Sequence, residues 1–137
     1  MDYIDKKHPL KERIMTMELI YKTVVTNIGK CASEFLNHNM FIIFKENVPQ
    51  ELQDYCYIHS DNNLVKGIEA DDILIIGNEK YKITAVGELV NQNLLELGHI
   101  TFKFSGETNA AIPGTLYLEK KEIVPPDSGT ILQIIRA

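Results

Sequence analysis

No stretch of this chain concentrates positive charge: 14 lysines and arginines are scattered among 19 aspartates and glutamates, for a formal charge of -5. A protein that follows a phosphate backbone carries a basic stripe, so nucleic acid is excluded as a partner. Long apolar runs are also missing. Phe41 to Phe44 and Ile73 to Ile76 are among the longest, far short of the roughly 20 residues a bilayer-spanning helix needs. The amino end, "MDYIDKKHPLKERIMTM", has no apolar stretch behind its basic residues and does not read as a secretory signal. These absences lead to the expectation of a cytoplasmic protein with no direct membrane insertion. Cysteine is scarce: Cys31 and Cys56 allow one disulfide at most, and free buried thiols are expected in a reducing compartment. There is no Gly-rich phosphate loop with a lysine, no G-x-S-x-G elbow and no Cys-x-x-Cys pair.

What the chain does have is strands. From about Leu19 onward, β-branched and aromatic runs alternate with turn residues: "LIYKTVVT", "FIIFKE", "CYIH", "DILIIG", "EKYKITAVG", "HITFKFSG", "GTLYLEKK" and "TILQIIR". Helix signals are short, at Lys30 to Leu36, "VPQELQDY" and "NQNLLELG", the last stopped by Gly98. About eight strands with only short connecting helices predict an all-β fold, a small closed or nearly closed β-barrel, since closure removes the edges. The 137 residues suit one domain. Residues 1–16 lack either periodicity and read as a flexible extension, leaving 17–137 as the single barrel domain.

Four histidines remain as candidates for chemistry: His8 in the extension, His38 in "LNHNM", His59 and His99. Period-two alternation places Tyr55, Tyr57 and His59 on one face of a strand, with Cys56 and Ile58 on the other. That separates Cys56 from His59, which argues against both a metal pair and a Cys–His nucleophile; Cys56 reads as a small buried hydrophobe. Applied to "HITFKFSG", the same rule turns Ile100, Phe102 and Phe104 to the core and His99 away from it. His59 is expected to face outward at a strand end, with the turn "SDNN" offering backbone donors to an anion. Neutral imidazole can accept a phosphoryl group covalently, and His99 is the natural helper. A buried, fully hydrogen-bonded His59 would instead suit a non-catalytic barrel that binds a small molecule or regulator.

The blocks "FIIFKENVPQELQDYCYIH", "GIEADDILIIGNEKYKITAVG", "NLLELGHITFKFSG" and "IPGTLYLE" together resemble the IIA component of the glucitol/sorbitol-specific phosphoenolpyruvate-dependent sugar phosphotransferase system. The resemblance runs from about Glu18 to Ile135. It implies a cytoplasmic all-β phosphocarrier and a phosphotransferase component. The histidine ending "YCYIH", here His59, takes a phosphoryl group on Nε2 from phosphorylated HPr. It passes the group to a cysteine of the IIB part of the IIB/IIC membrane permease. No organic cofactor or metal is required for such transfer. Family members can carry histidine two residues after the phosphorylated one, whereas this chain has Asp61. On an extended strand Asp61 would share a face with His59, repel a dianionic phosphoryl group and raise the ring's pKa.

Overall fold

The computed structural model describes residues 17–137; the extension read over residues 1–16 lies outside the described residues. Eight strands close into a barrel: β1 (Glu18–Ile28), β2 (Met40–Lys45), β3 (Tyr57–Leu64), β4 (Ile73–Ile76), β5 (Glu79–Val86), β6 (Ile100–Phe104), β7 (Thr115–Leu118) and β8 (Ile131–Arg136). Around the barrel the order is β1-β3-β2-β6-β7-β5-β4-β8. β2 runs parallel to β3 and β6 parallel to β7, while the other pairs are antiparallel. A 3-10 helix (Ala32–His38) and two α-helices, α1 (Gln50–Gln53) and α2 (Val90–Leu97), make the longer connections. The expected all-β barrel and its three helical connectors are therefore present. His38, expected in a loop, closes the 3-10 helix before the left-handed Asn39.

Alternation builds the interior. Phe41 and Ile43 of β2, Tyr81 and Ile83 of β5, and Ile100, Phe102 and Phe104 of β6 are buried, with more exposed residues between them. Phe41 stacks on Phe102 at 4.8 Å and meets Tyr57 edge-on at 5.4 Å. Each such ring contributes on the order of 2–3 kcal/mol by leaving water. β4 and β5 form the tight hairpin that the sequence predicts, Ile76 facing Glu79 across a turn with Gly77 at φ 60°. On β8, Arg136 grips the buried Asp72 carboxylate through Nε at 2.8 Å and Nη2 at 3.0 Å. α2 buries Val90 and Leu94 and ends at Gly98, whose left-handed backbone caps the helix with its N–H donating to the Leu94 carbonyl. That cap brings the start of β6 back against β2 and sets Gly98 beside Lys45 of β2 and His59 of β3.

Candidate functional site

β3 does not stop at His59. It continues to Leu64 through a bulge in which Asp61 (φ 64°) and Asn62 (φ 42°) together oppose Thr23 of β1. Asx residues tolerate this left-handed backbone better than most. The "SDNN" segment expected as a terminal turn is thus an irregular part of the ladder. His59 itself is fully buried, on the same inner face as Tyr57, which corrects the outward orientation. Alternation assigns the faces of a strand without saying which one is the core, and here the histidine lies on the core side.

Both ring nitrogens of His59 have partners. Nε2 lies 2.7 Å from the carbonyl of Gly98 and Nδ1 2.7 Å from the hydroxyl of Thr23. Burial pushes the ring's pKa below its ordinary value; the Gly98 and Ser60 carbonyls oppose that shift, Lys45 adds to it and Glu46 opposes it. The ring is therefore neutral near pH 7. A carbonyl only accepts, so the Gly98 contact places the ring proton on Nε2 and makes Nδ1 the acceptor nitrogen facing the Thr23 hydroxyl, which also lies against the Ser60 carbonyl. Asp61 is exposed and is not among the charges acting on the ring. The bulge instead turns Asn62 inward: its carbonyl accepts from the Tyr21 hydroxyl at 2.8 Å, and its amide donates to the Leu94 carbonyl of α2 at 2.7 Å.

His99 lies on the opposite face of the same wall. Its ring stacks on Phe44 with centroids 4.3 Å apart, and Phe44 packs outside the barrel with Cys56 and Ile58. Nδ1 donates to the Ile43 carbonyl at 3.1 Å, so Nε2 is the ring nitrogen not engaged by that bond. His99 helps line an open cleft of about 360 Å³ with Phe35, Ile42, Leu52, Tyr55, Cys56 and Thr101. Burial raises the Cys56 thiol to about 11, so it is no thiolate nucleophile at neutral pH.

A family model described as the PTS system glucitol/sorbitol-specific IIA component matches residues 20–133. The chain belongs to this family. The glucitol/sorbitol-specific EIIA components of Shigella flexneri and Escherichia coli (strain K12) are each 38% identical over 102 residues, covering 74% of this chain and 83% of theirs. The crystal structure of a PTS system IIA component from Enterococcus faecalis V583 superposes with a TM-score of 0.72 at 28% identity, spanning 81% of this chain and 96% of that one. The present IIA component is thus a phosphocarrier of the sugar phosphotransferase system.

Within this IIA barrel the two expected site histidines are neighbours through the backbone, since Gly98, which holds the His59 ring, immediately precedes His99. Their rings do not share a pocket, because they lie on the two faces of one wall. Tyr57 is a core residue and not part of a surface, whereas Tyr55 is 43% exposed, outside the strand and in the His99 cleft. Both cysteines are free, and Cys56 is buried as expected. Among the described residues, no helix is long and apolar enough to cross a membrane and no group of three or more His, Cys, Asp or Glu is arranged to hold a metal. Sequence reasoning missed Thr23 and Asn62 as neighbours of His59, because their approach depends on the bulge. For Gly98 a signal existed: a helix-stopping glycine next to a candidate histidine.

Proposed function

We propose that His59 carries the phosphoryl group of this IIA component, accepting it on Nε2 from phosphorylated HPr and passing it to a cysteine of the IIB part of a IIB/IIC permease. The work is done in the cytoplasm by the barrel of residues 17–137. One observation carries the choice of atom: Nδ1 is turned into the β1–β3 ladder, while Nε2 is held by a single carbonyl at the end of α2. Reaching Nδ1 means unzipping two strands. Reaching Nε2 means moving one peptide at a helix terminus, a motion of the kind that gates many transfers. The described conformation is closed, with His59 in the buried, hydrogen-bonded state that alone would suit a non-catalytic barrel; the family match favours the carrier, and transfer begins when the Gly98 carbonyl turns away. Exposed Leu95 and Leu97 on α2 give an incoming protein apolar area beside that gate. Catalysis is then positioning and charge stabilisation, with Lys45, exposed at the end of β2 opposite His59, as the nearby cation.

A specific observation favours a second reading: His99 already lines an open cleft, with Nδ1 tied to a carbonyl. Incubation with phosphoenolpyruvate, enzyme I and HPr, followed by intact mass measurement, separates the two. The His59 reading expects an acid-labile phosphate on wild type and on His99→Ala, and none on His59→Ala. Phosphate retained by His59→Ala and lost by His99→Ala would transfer the role to His99.

A further inference from the structure

Thr23 is buried and stands opposite the two-residue bulge, so its hydroxyl is surrounded by groups of the neighbouring strand. The backbone N–H of Asn62 donates to Oγ1 at 3.1 Å, His59 Nδ1 lies 2.7 Å away, and the Ser60 carbonyl is also an immediate partner. A hydroxyl has one proton and two acceptor sites. It cannot donate to Nδ1 and to Ser60 at once, and this conflict has two solutions, each leaving one carbonyl, Ser60 or Gly98, without a proton from the atom it faces. With the ring proton on Nε2, that proton goes to Gly98 and the Thr23 proton goes to Nδ1. With the ring proton on Nδ1, it is donated to Oγ1, and the Thr23 proton rotates to the Ser60 carbonyl. The first needs the Ser60 carbonyl to ease away from the Oγ1 lone pair, and the second needs the Gly98 carbonyl to leave the lone pair of Nε2.

We infer that Thr23 is a positioning residue for phosphoryl transfer, a hydroxyl rotor that stabilises the Nδ1-protonated ring when Nε2 acts as nucleophile and the Nε2-protonated ring at rest. The inference rests on the assignment of His59. As Gly98 withdraws, Nε2 gives its proton to water and Nδ1 gains one from water, so the ring keeps a single proton. The Nε2 lone pair then forms the new N–P bond while the N–P bond of the donor phosphohistidine breaks, its electron pair returning to the donor nitrogen. The proton on Nδ1 remains, held by Oγ1. Passing the group on to a thiolate reverses these steps at His59.

The test combines ring-nitrogen NMR on the full chain labelled in histidine with single-turnover transfer from phospho-HPr. Wild type and Thr23→Ser should show the resting proton on Nε2 and, after phosphorylation, on Nδ1. Thr23→Val keeps the shape but cannot hydrogen-bond. Gly98 still holds the resting proton on Nε2, so the effect shows after phosphorylation: the Nδ1 proton should be lost at a lower pH than in wild type and transfer should slow by about tenfold or more, while Thr23→Ser stays within about threefold of wild type. Thr23→Val that transfers at the wild-type rate, or that is slowed while the Nδ1 proton of its phosphohistidine titrates as in wild type, overturns the rotor. So does a resting wild-type ring already protonated on Nδ1, a measurement that needs no variant to fold. Failure of the His59 assignment is seen separately, as phosphate retained by His59→Ala.

Discussion

Replacing Gly98 by alanine would place a methyl carbon 2.5 Å from Lys45 Cβ and 3.2 Å from both Cε1 and Nε2 of His59. Relaxed carbon contacts are about 3.5–4.0 Å, so the clash with Lys45 is about an ångström too deep. Cβ is fixed to the main chain of β2, and no rotamer change can relieve it. The backbone adds its own cost: at φ 61° an alanine is strained by roughly 1–2 kcal/mol. Overpacking of this kind typically costs 1–3 kcal/mol, so the two effects together predict a loss of about 2–5 kcal/mol. For a domain of this size, that lowers Tm by roughly 10 °C or more in a calorimetric scan. The damage should centre on the site. Pushing the Gly98 peptide off the ring admits water to Nε2, and because burial is the main cause of the depressed His59 pKa, its NMR titration should move up toward the ordinary value of about 6.5. A Gly98→Ala protein that melts within about 2 °C of wild type, with His59 still titrating low, would refute the described fit between helix cap and ring.

Other perturbations test neighbouring parts. As pH falls below about 6.5 the unfolded His59 takes a proton before the folded ring does, so the unfolded state binds more protons. Stability therefore drops toward acid, by at most about 1.4 kcal/mol per pH unit from this group, and is flat above that window. Denaturant midpoints across pH should show this component vanish in His59→Asn; a His59-dependent gain in stability on acidification would contradict it. Leu95→Asp, on the exposed side of α2, should raise the KM for phospho-HPr several-fold, roughly 1 kcal/mol of lost binding, with little change in Tm; an unchanged KM would place docking elsewhere. Asp72→Ala should cost about 2–3 kcal/mol by leaving the Arg136 guanidinium without its paired carboxylate, readable as a lower urea midpoint.

Local signals made much of the barrel legible. Gly77 marked the β4–β5 hairpin, Gly98 the end of α2, and the alternation of Ile100, Phe102 and Phe104 the inner face of β6. The parallel pairing of β2 with β3, Phe44 opposite Ile58, leaves no such mark, because it joins segments across an intervening connection. The site failed to read out for a related reason. Alternation correctly grouped Tyr57 with His59, but the polar ring suggested solvent, and only the closing of α2 over the barrel end makes that face interior. Asp61 and Asn62 looked like a turn because the residues that tolerate left-handed backbone in turns also tolerate it in bulges.

That bulge also resolves the charge problem posed by an acid two residues from the histidine proposed to accept the phosphoryl group. In an unbroken strand Asp61 would stand on the inner face beside His59, where an anion would oppose a dianionic group at short range. Setting two residues against Thr23 shifts the alternation by one. Asn62 takes the inward place and Asp61 goes to solvent, where its field is screened. The same shift leaves Thr23, still paired with Leu132 of β8, without a one-to-one partner on β3, and its hydroxyl meets the ring. It also directs the Asn62 amide to the Leu94 carbonyl, tying β3 to the helix whose last cap closes over Nε2. Asp61 is tolerated because the irregularity that it helps to form is what removes it from the site.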